Sequence, residues 1–311
     1  MAITDARIYQ ILFLSLFLLV GFATRDWTLR PGMIVTAIAT CLVTQGLLAT
    51  WQRGSQVETA VSPAPDGRGV IAGQFSWPAI FSALGSLVSG ISLSPLITSL
   101  SLSLLLRADH YSTMGLAAGC AIASKKLASF RGKHLFNPAN FGIIVALTLT
   151  PDAWVSPGQW GEEGWYVLLF LTAGGIVLQR VGRWDTTLAF LVTYAGLEAA
   201  RNLWLGWTWD VWSHRLMNGS LLLFALFMIT DPRTIPNARS ARLLWAGAIA
   251  LVTFVLRNVF FIPTAVFWAL FLLAPLTPLL DWLWPAERFT WRPPSSLSGP
   301  GVSAVLSEPP V

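Results

Sequence analysis

The chain has 311 residues, of which 54% are hydrophobic and 11% charged, with a mean hydropathy of +0.62. That balance excludes a soluble globular domain of this length. A formal charge of +5 and a pI near 9.7 on so apolar a chain speak for membrane topology and anionic lipid contact, and against nucleic-acid binding. Many of the 16 Trp close apolar runs, where an indole ring is buried in the headgroup zone and its N–H stays solvated.

In chain order, apolar runs predict spans at 9–23, 32–50, 80–106, 112–128, 139–151, 165–179, 187–204, 216–230, 243–259 and 264–283. The fifth and eighth are the shortest. The pattern predicts an all-α polytopic membrane protein of about ten transmembrane helices in two inverted five-helix repeats. Residues 1–157 form the first repeat and 158–290 the second, because an odd number of spans per half makes the second half enter from the opposite side. Residues 54–74 are Gly-, Pro- and Ser-rich and predict a mobile polar loop; 291–311 predict a disordered tail. The polar start is followed by an apolar run too long for a leader and by no small-residue cleavage site, so no cleavable signal peptide is expected.

Fourteen Lys and Arg fall on the N-terminal side of the spans and six on the other. The positive-inside rule then puts both termini in the cytoplasm of a bacterial-type inner (plasma) membrane. Cys41 and Cys120 lie far apart inside apolar runs and read as small buried hydrophobes, not as a metal or redox pair.

Two polar, Gly/Pro-containing segments join apolar runs too short for ordinary spans: Gly132 to Gly142, and Asn218-Gly219-Ser220 through Thr230-Asp231-Pro232. Broken backbone at membrane depth is costly unless it faces a protected cavity. The substrate or ion-pathway candidates are therefore Ser89, Gly90, Asn137, Asn140, Asn218, Gly219 and Asp231. Asn137 before Pro138 also reads as a plain helix cap, and the small residues as close helix packing. Asp231 opposes the dipole at a helix C-terminus; either a salt bridge to Arg233 or Arg242 or a cation or proton site explains it. Glu198 is expected to pair with Arg201, and Asp109, beside Arg107 and His110, to be the repeat partner of Asp231. Lys125, Lys126, Arg131 and Lys133 form the densest charge cluster, a lipid anchor or a docking or anion site. No Gly-rich phosphate loop, HExxH or nucleophile elbow occurs, so no catalytic residue and no metal site is expected.

The Phe-Asn-Pro-Ala core of Gly132–Gly142, Phe227-Met228-Ile229-Thr230-Asp231-Pro232, the run from Arg242 to Asn258, and Pro278-Leu279-Leu280-Asp281 resemble the NqrB/RnfD family. Those proteins are membrane subunits of the sodium-pumping NADH:quinone oxidoreductase and of the Rnf ferredoxin:NAD oxidoreductase. The resemblance implies ten helices in two inverted repeats and an electron-transport, ion-translocating system with other membrane redox subunits as partners. It also implies a flavin esterified to a threonine between spans five and six. Here the connection 151–164 contains no threonine, so no covalent flavin is expected, while a non-covalent flavin stays open. The alternative is a stand-alone secondary transporter or permease on the same fold, for example serving a biosynthetic cluster.

Overall fold

The computed structural model describes residues 5–24, 30–60, 93–156 and 164–289. Ser89 and Gly90, most of the expected 54–74 loop, the expected boundary at 157/158 and the 291–311 tail lie outside the described residues. The protein is an all-α polytopic membrane protein. Its helices are α1 (Ala6–Thr24), α2 (Pro31–Ala60), α3 (Leu93–Leu105), α4 (Tyr111–Leu127), α5 (Pro138–Leu149), α6 (Gly164–Val181), α7 (Trp184–Leu205), α8 (Trp209–Leu216), α9 (Gly219–Leu223), α10 (Arg239–Asn258), α11 (Ala265–Leu273) and α12 (Thr277–Leu283). Helix α9 continues as a π-helical turn over Phe224–Met228, and a 3-10 turn joins α11 to α12.

Among the described residues four segments are long and apolar enough to cross a bilayer: Ala6–Ala23, Pro31–Trp51, Arg239–Asn258 and Ala265–Leu283. Two findings differ from the expected spans. Helix α2 runs to Ala60, into the tract read as loop. The short α8 precedes the eighth span and buries none of its side chains. Two small antiparallel pairs add to the helices: β1 (Leu106–Ala108) with β4 (Ala153–Val155), and β2 (Ser129–Phe130) with β3 (Lys133–His134).

Packing follows one pattern twice. In the first half α1 packs on α3, α2 on α4, and α4 on α5. In the second, α6 packs on the π turn, α7 on α10, and α10 on α11. The halves meet through α1 with α6 and α5 with α11, first span against first and fifth against fifth. Each half also carries a carboxylate clasp from the end of its fifth span to the start of its fourth. Asp152 accepts from His110 N (2.9 Å) and from the Thr113 hydroxyl (2.8 Å); Asp281 accepts from Asn237 N (2.7 Å). The sequence separations are 42 and 44 residues. The first clasp lies on the face opposite the N-terminus and the second on the N-terminal face. In this geometry Asp152 and Asp281 correspond. Asp109, the expected partner of Asp231, is exposed and sits 3.9 Å from Arg30, whereas Asp231 lines a cavity.

Small residues allow the close approach of α4 and α5. A Cβ added to Gly142 would lie 2.5 Å from the Ala117 carbonyl and 3.0 Å from the Ala121 methyl. The resulting van der Waals contact substitutes for a hydrophobic drive that lipid does not supply.

Candidate functional site

Helix α5 has 12 residues, and α9 with its π turn has five plus five. At about 1.5 Å per residue they measure about 18 Å and at most about 15 Å, against about 30 Å of hydrocarbon. Their ends on the N-terminal face are therefore set inside the thickness of the protein, and there they meet. Asn137 caps α5, its side-chain oxygen accepting from Asn140 N at 3.1 Å, with Pro138 at the first helical position. Its amide nitrogen donates across to the Met228 carbonyl (3.3 Å) and to Asp231 Oδ2 (3.5 Å).

The π turn widens the helix end and frees carbonyls, several of which find partners. Ile229 N donates to Phe224 O at 3.0 Å, Thr187 Oγ1 to Ala225 O at 2.6 Å, and Thr230 Oγ1 to Leu226 O at 3.0 Å. Asn137 satisfies the Met228 carbonyl, so the break in the eighth span is completed by side chains from α5, from α7 and from its own end. Asp231 accepts from Arg233 N at 3.1 Å and makes no salt bridge to Arg233 or Arg242.

A vestibule opens on this junction, enclosing about 990 Å³ of empty space including its mouth. Its walls come from both halves: Arg7 and Gln10 of α1, Ser94 and Thr98 of α3, Lys125 of α4, then His134 and Asn137, Val177 of α6, Met228, Asp231 and Arg233. Lys125 is buried and donates to Ser94 Oγ and Thr98 Oγ1, both at 3.0 Å. Its nitrogen thus lines the cavity with two hydroxyl oxygens at hydrogen-bond distance. The floor is Leu14, Leu104, Leu223 and Phe227. Beside it Phe17 stacks on Phe170 (4.3 Å) and meets Phe227 edge-on (5.9 Å).

His134 lies beside the mouth. Its Nδ1 bonds the Lys125 carbonyl at 3.1 Å and so carries the proton. Burial, with Arg233 and Lys125 adding to it, pushes the imidazole pKa down to about 4. The hydroxyl of Thr113 is the chief cause holding Asp152 below the usual carboxylate range.

The structure brings Asn137, Lys125 and Asp231 together. Asn140 lies just behind them, 1% exposed, its amide donating to Phe267 O on α11 at 3.1 Å and its Oδ1 without a partner among the described residues. Asn218 and Gly219 sit at the other end of the eighth span, where Asn218 caps α9 through Ser220 N and Leu221 N. The basic cluster divides. Lys125 turns into the vestibule, Lys126 is exposed, Arg131 sits at the tip of the β2–β3 turn, and Lys133 pairs with Asp281 at 2.6 Å. Glu198, 2% exposed, pairs with Arg215 (2.8 Å) and Asn258 (2.8 Å), not with Arg201, whose guanidinium stacks on Trp207. Thr148 and Thr150, the threonines nearest the 151–164 connection, spend their hydroxyls on the carbonyls of Ile144 and Ala146.

Fold and cavity thus define a polytopic helical membrane protein whose shortened spans end at a polar vestibule between its halves. Residues 152–290 match the NQR2, RnfD, RnfE family. The D component of the ion-translocating oxidoreductase complex of Stutzerimonas stutzeri is 36% identical over 126 residues, 40% of this chain and 35% of that protein. The proteins of the same name from Tolumonas auensis (31% over 123 residues, 39% and 35%) and Escherichia coli (32% over 128 residues, 40% and 36%) are similar to the same degree. The matching stretch spans about a third of the length of each relative. The family match takes in the Thr230-Asp231-Pro232 and Pro278–Asp281 motifs but not Gly132–Gly142.

Proposed function

We propose that this chain is an integral membrane subunit of an RnfD-type ion-translocating redox system. It would lie in a bacterial inner membrane with both termini cytoplasmic and without a covalent flavin of its own. The observation that carries this reading is the meeting of two sub-length helices, at Asn137 and Asp231, on a vestibule walled by both halves. Polar groups at such depth must face protein or a water-lined cavity, and the open side of the vestibule supplies the second. The vestibule then serves as the cytoplasmic mouth of an ion pathway. The Asp231 carboxylate is its exchange group, and the Lys125 ammonium is the tethered counter-charge that occupies the carboxylate's field when no ion does. The Phe17–Phe170–Phe227 layer is the barrier that a conformational change would open.

The test is purification from native membranes. Redox subunits should co-purify, and ion uptake by the reconstituted assembly should fall at least tenfold for Asp231→Asn and Lys125→Met while assembly is unchanged. A chain that purifies alone and moves a solute unaided in proteoliposomes would instead be the stand-alone permease. On a denaturing gel the protein should show no flavin fluorescence; a fluorescent band would overturn that part of the reading.

A further inference from the structure

A second cleft lies on the N-terminal face, between the β2–β3 turn and the end of α12, with about 740 Å³ of empty space including its open side. Its charged groups are Arg131, Lys133, Asp281 and Arg288; Phe130 and Trp282, both more than half exposed, contribute aromatic walls. Lys133 and Asp281 neutralise each other at 2.6 Å. That leaves the guanidinium groups of Arg131 and Arg288, neither of which has a carboxylate partner among the described residues.

Arg131 is held there at a conformational cost. It and Gly132 are the two central residues of a two-residue hairpin loop, with φ of +49° and +77°. Such a loop favours Asn-Gly or Gly-Gly, because a left-handed backbone crowds any larger L side chain. Arg288 donates to the Arg131 carbonyl at 2.6 Å and fixes the turn so that both guanidinium groups belong to one cleft. A strained arginine where glycine would be cheaper points to a use for its side chain.

We propose that this cleft binds the phosphate of an anionic phospholipid, with Arg131 and Arg288 as its two ligands. Two guanidinium forks match the oxygens of one phosphate. The aromatic walls favour a lipid over a soluble anion, since Phe130 and Trp282 present apolar surface at the end of a membrane helix, where a glycerol backbone and the first acyl carbons would lie.

The test is thermal unfolding of the full chain in neutral detergent with phosphatidylglycerol or phosphatidylcholine at equal mole fraction. Phosphatidylglycerol should raise the midpoint by several degrees and phosphatidylcholine should not. Arg131→Gly should raise the midpoint of lipid-free protein, by relieving the turn, yet lose at least half of the phosphatidylglycerol increment. Arg288→Gln should lose a similar share, and Lys126→Gln, an exposed lysine outside the cleft, should lose none. Full increments in both arginine variants, or an equal loss in Lys126→Gln, would overturn the assignment. An equal rise in wild-type protein with millimolar inorganic phosphate would overturn the lipid source.

Discussion

Asn137 uses both ends of one amide to join the two halves: its oxygen caps α5, and its nitrogen reaches Met228 O at 3.3 Å and Asp231 Oδ2 at 3.5 Å. Capping and bridging can be separated. Asn137→Ala removes both and should cost about 1–2 kcal/mol of stability in detergent unfolding. Asn137→Asp keeps a capping oxygen but replaces the donor with a charge facing Asp231. It should cost less stability than the alanine variant and more ion uptake. Unchanged uptake in Asn137→Asp would show that the bridge plays no part in transport.

Two glycines give a packing test. Gly142→Ala drives a methyl group into the Ala117 carbonyl and should destabilise by about 1–3 kcal/mol. Gly196→Ala on α7 meets nothing within 4 Å and should be neutral or gain up to about 1 kcal/mol from helix propensity. Equal effects would mean that α4 and α5 do not approach through Gly142.

The ion pair of Asp185 and Arg242, 2.8 Å apart and both buried, ties α7 to α10. Arg242→Met leaves a buried carboxylate whose remaining ion-pair partner among the described residues is Arg239, 3.6 Å away and exposed, and should cost about 3–5 kcal/mol. Adding Asp185→Leu should restore more than half of that loss, measured as a double-mutant cycle. Strict additivity would contradict the pairing.

Acid should loosen the mouth of the vestibule. The folded-state pKa of His134 is depressed to about 4, so the unfolded chain takes up its proton first. The contribution of His134 is complete above about pH 6.5 and declines as pH falls through the window from there to about 4, by at most about 3 kcal/mol. His134→Gln should flatten that part of the stability profile. An unaltered slope would place the titration elsewhere.

Orientation can be read by labelling. In a protein with Cys41 and Cys120 replaced by Ala, Gly158→Cys and Asp210→Cys should react with an impermeant reagent from outside, and Ala60→Cys should not. The reverse pattern would overturn the orientation inferred from the Lys and Arg counts.

Much of this was legible in the chain. Apolar runs marked the spans, and Asn-Pro marked the start of α5, because hydropathy and capping are local. Helix α8 was missed although its signal was present: Trp209 and Trp212 pack edge to face at 5.8 Å on a turn that also carries Asp210, His214 and Arg215. The π turn had no local signal, since its freed carbonyls are satisfied by Thr187 and Asn137 from distant helices. The basic cluster read as one patch because charge carries no direction in a sequence. Only the turn at Arg131-Gly132 and the hydroxyls of α3 send Lys125 inward and Arg131 outward. The partners of Glu198 lay 17 and 60 residues away, beyond any helical periodicity.

The two carboxylate clasps bear on how the protein is made. Each closes over a short stretch of chain, 42 residues for Asp152 with His110 and 44 for Asp281 with Asn237. The first needs nothing from the second half, so it can form once His110 and Asp152 have both reached the face opposite the N-terminus, before the second half is complete. The second draws in Lys133 as well, across 148 residues, and so can be completed only against a half that is already in place. Synthesis from the N-terminus thus gives the later half a finished surface to fold against.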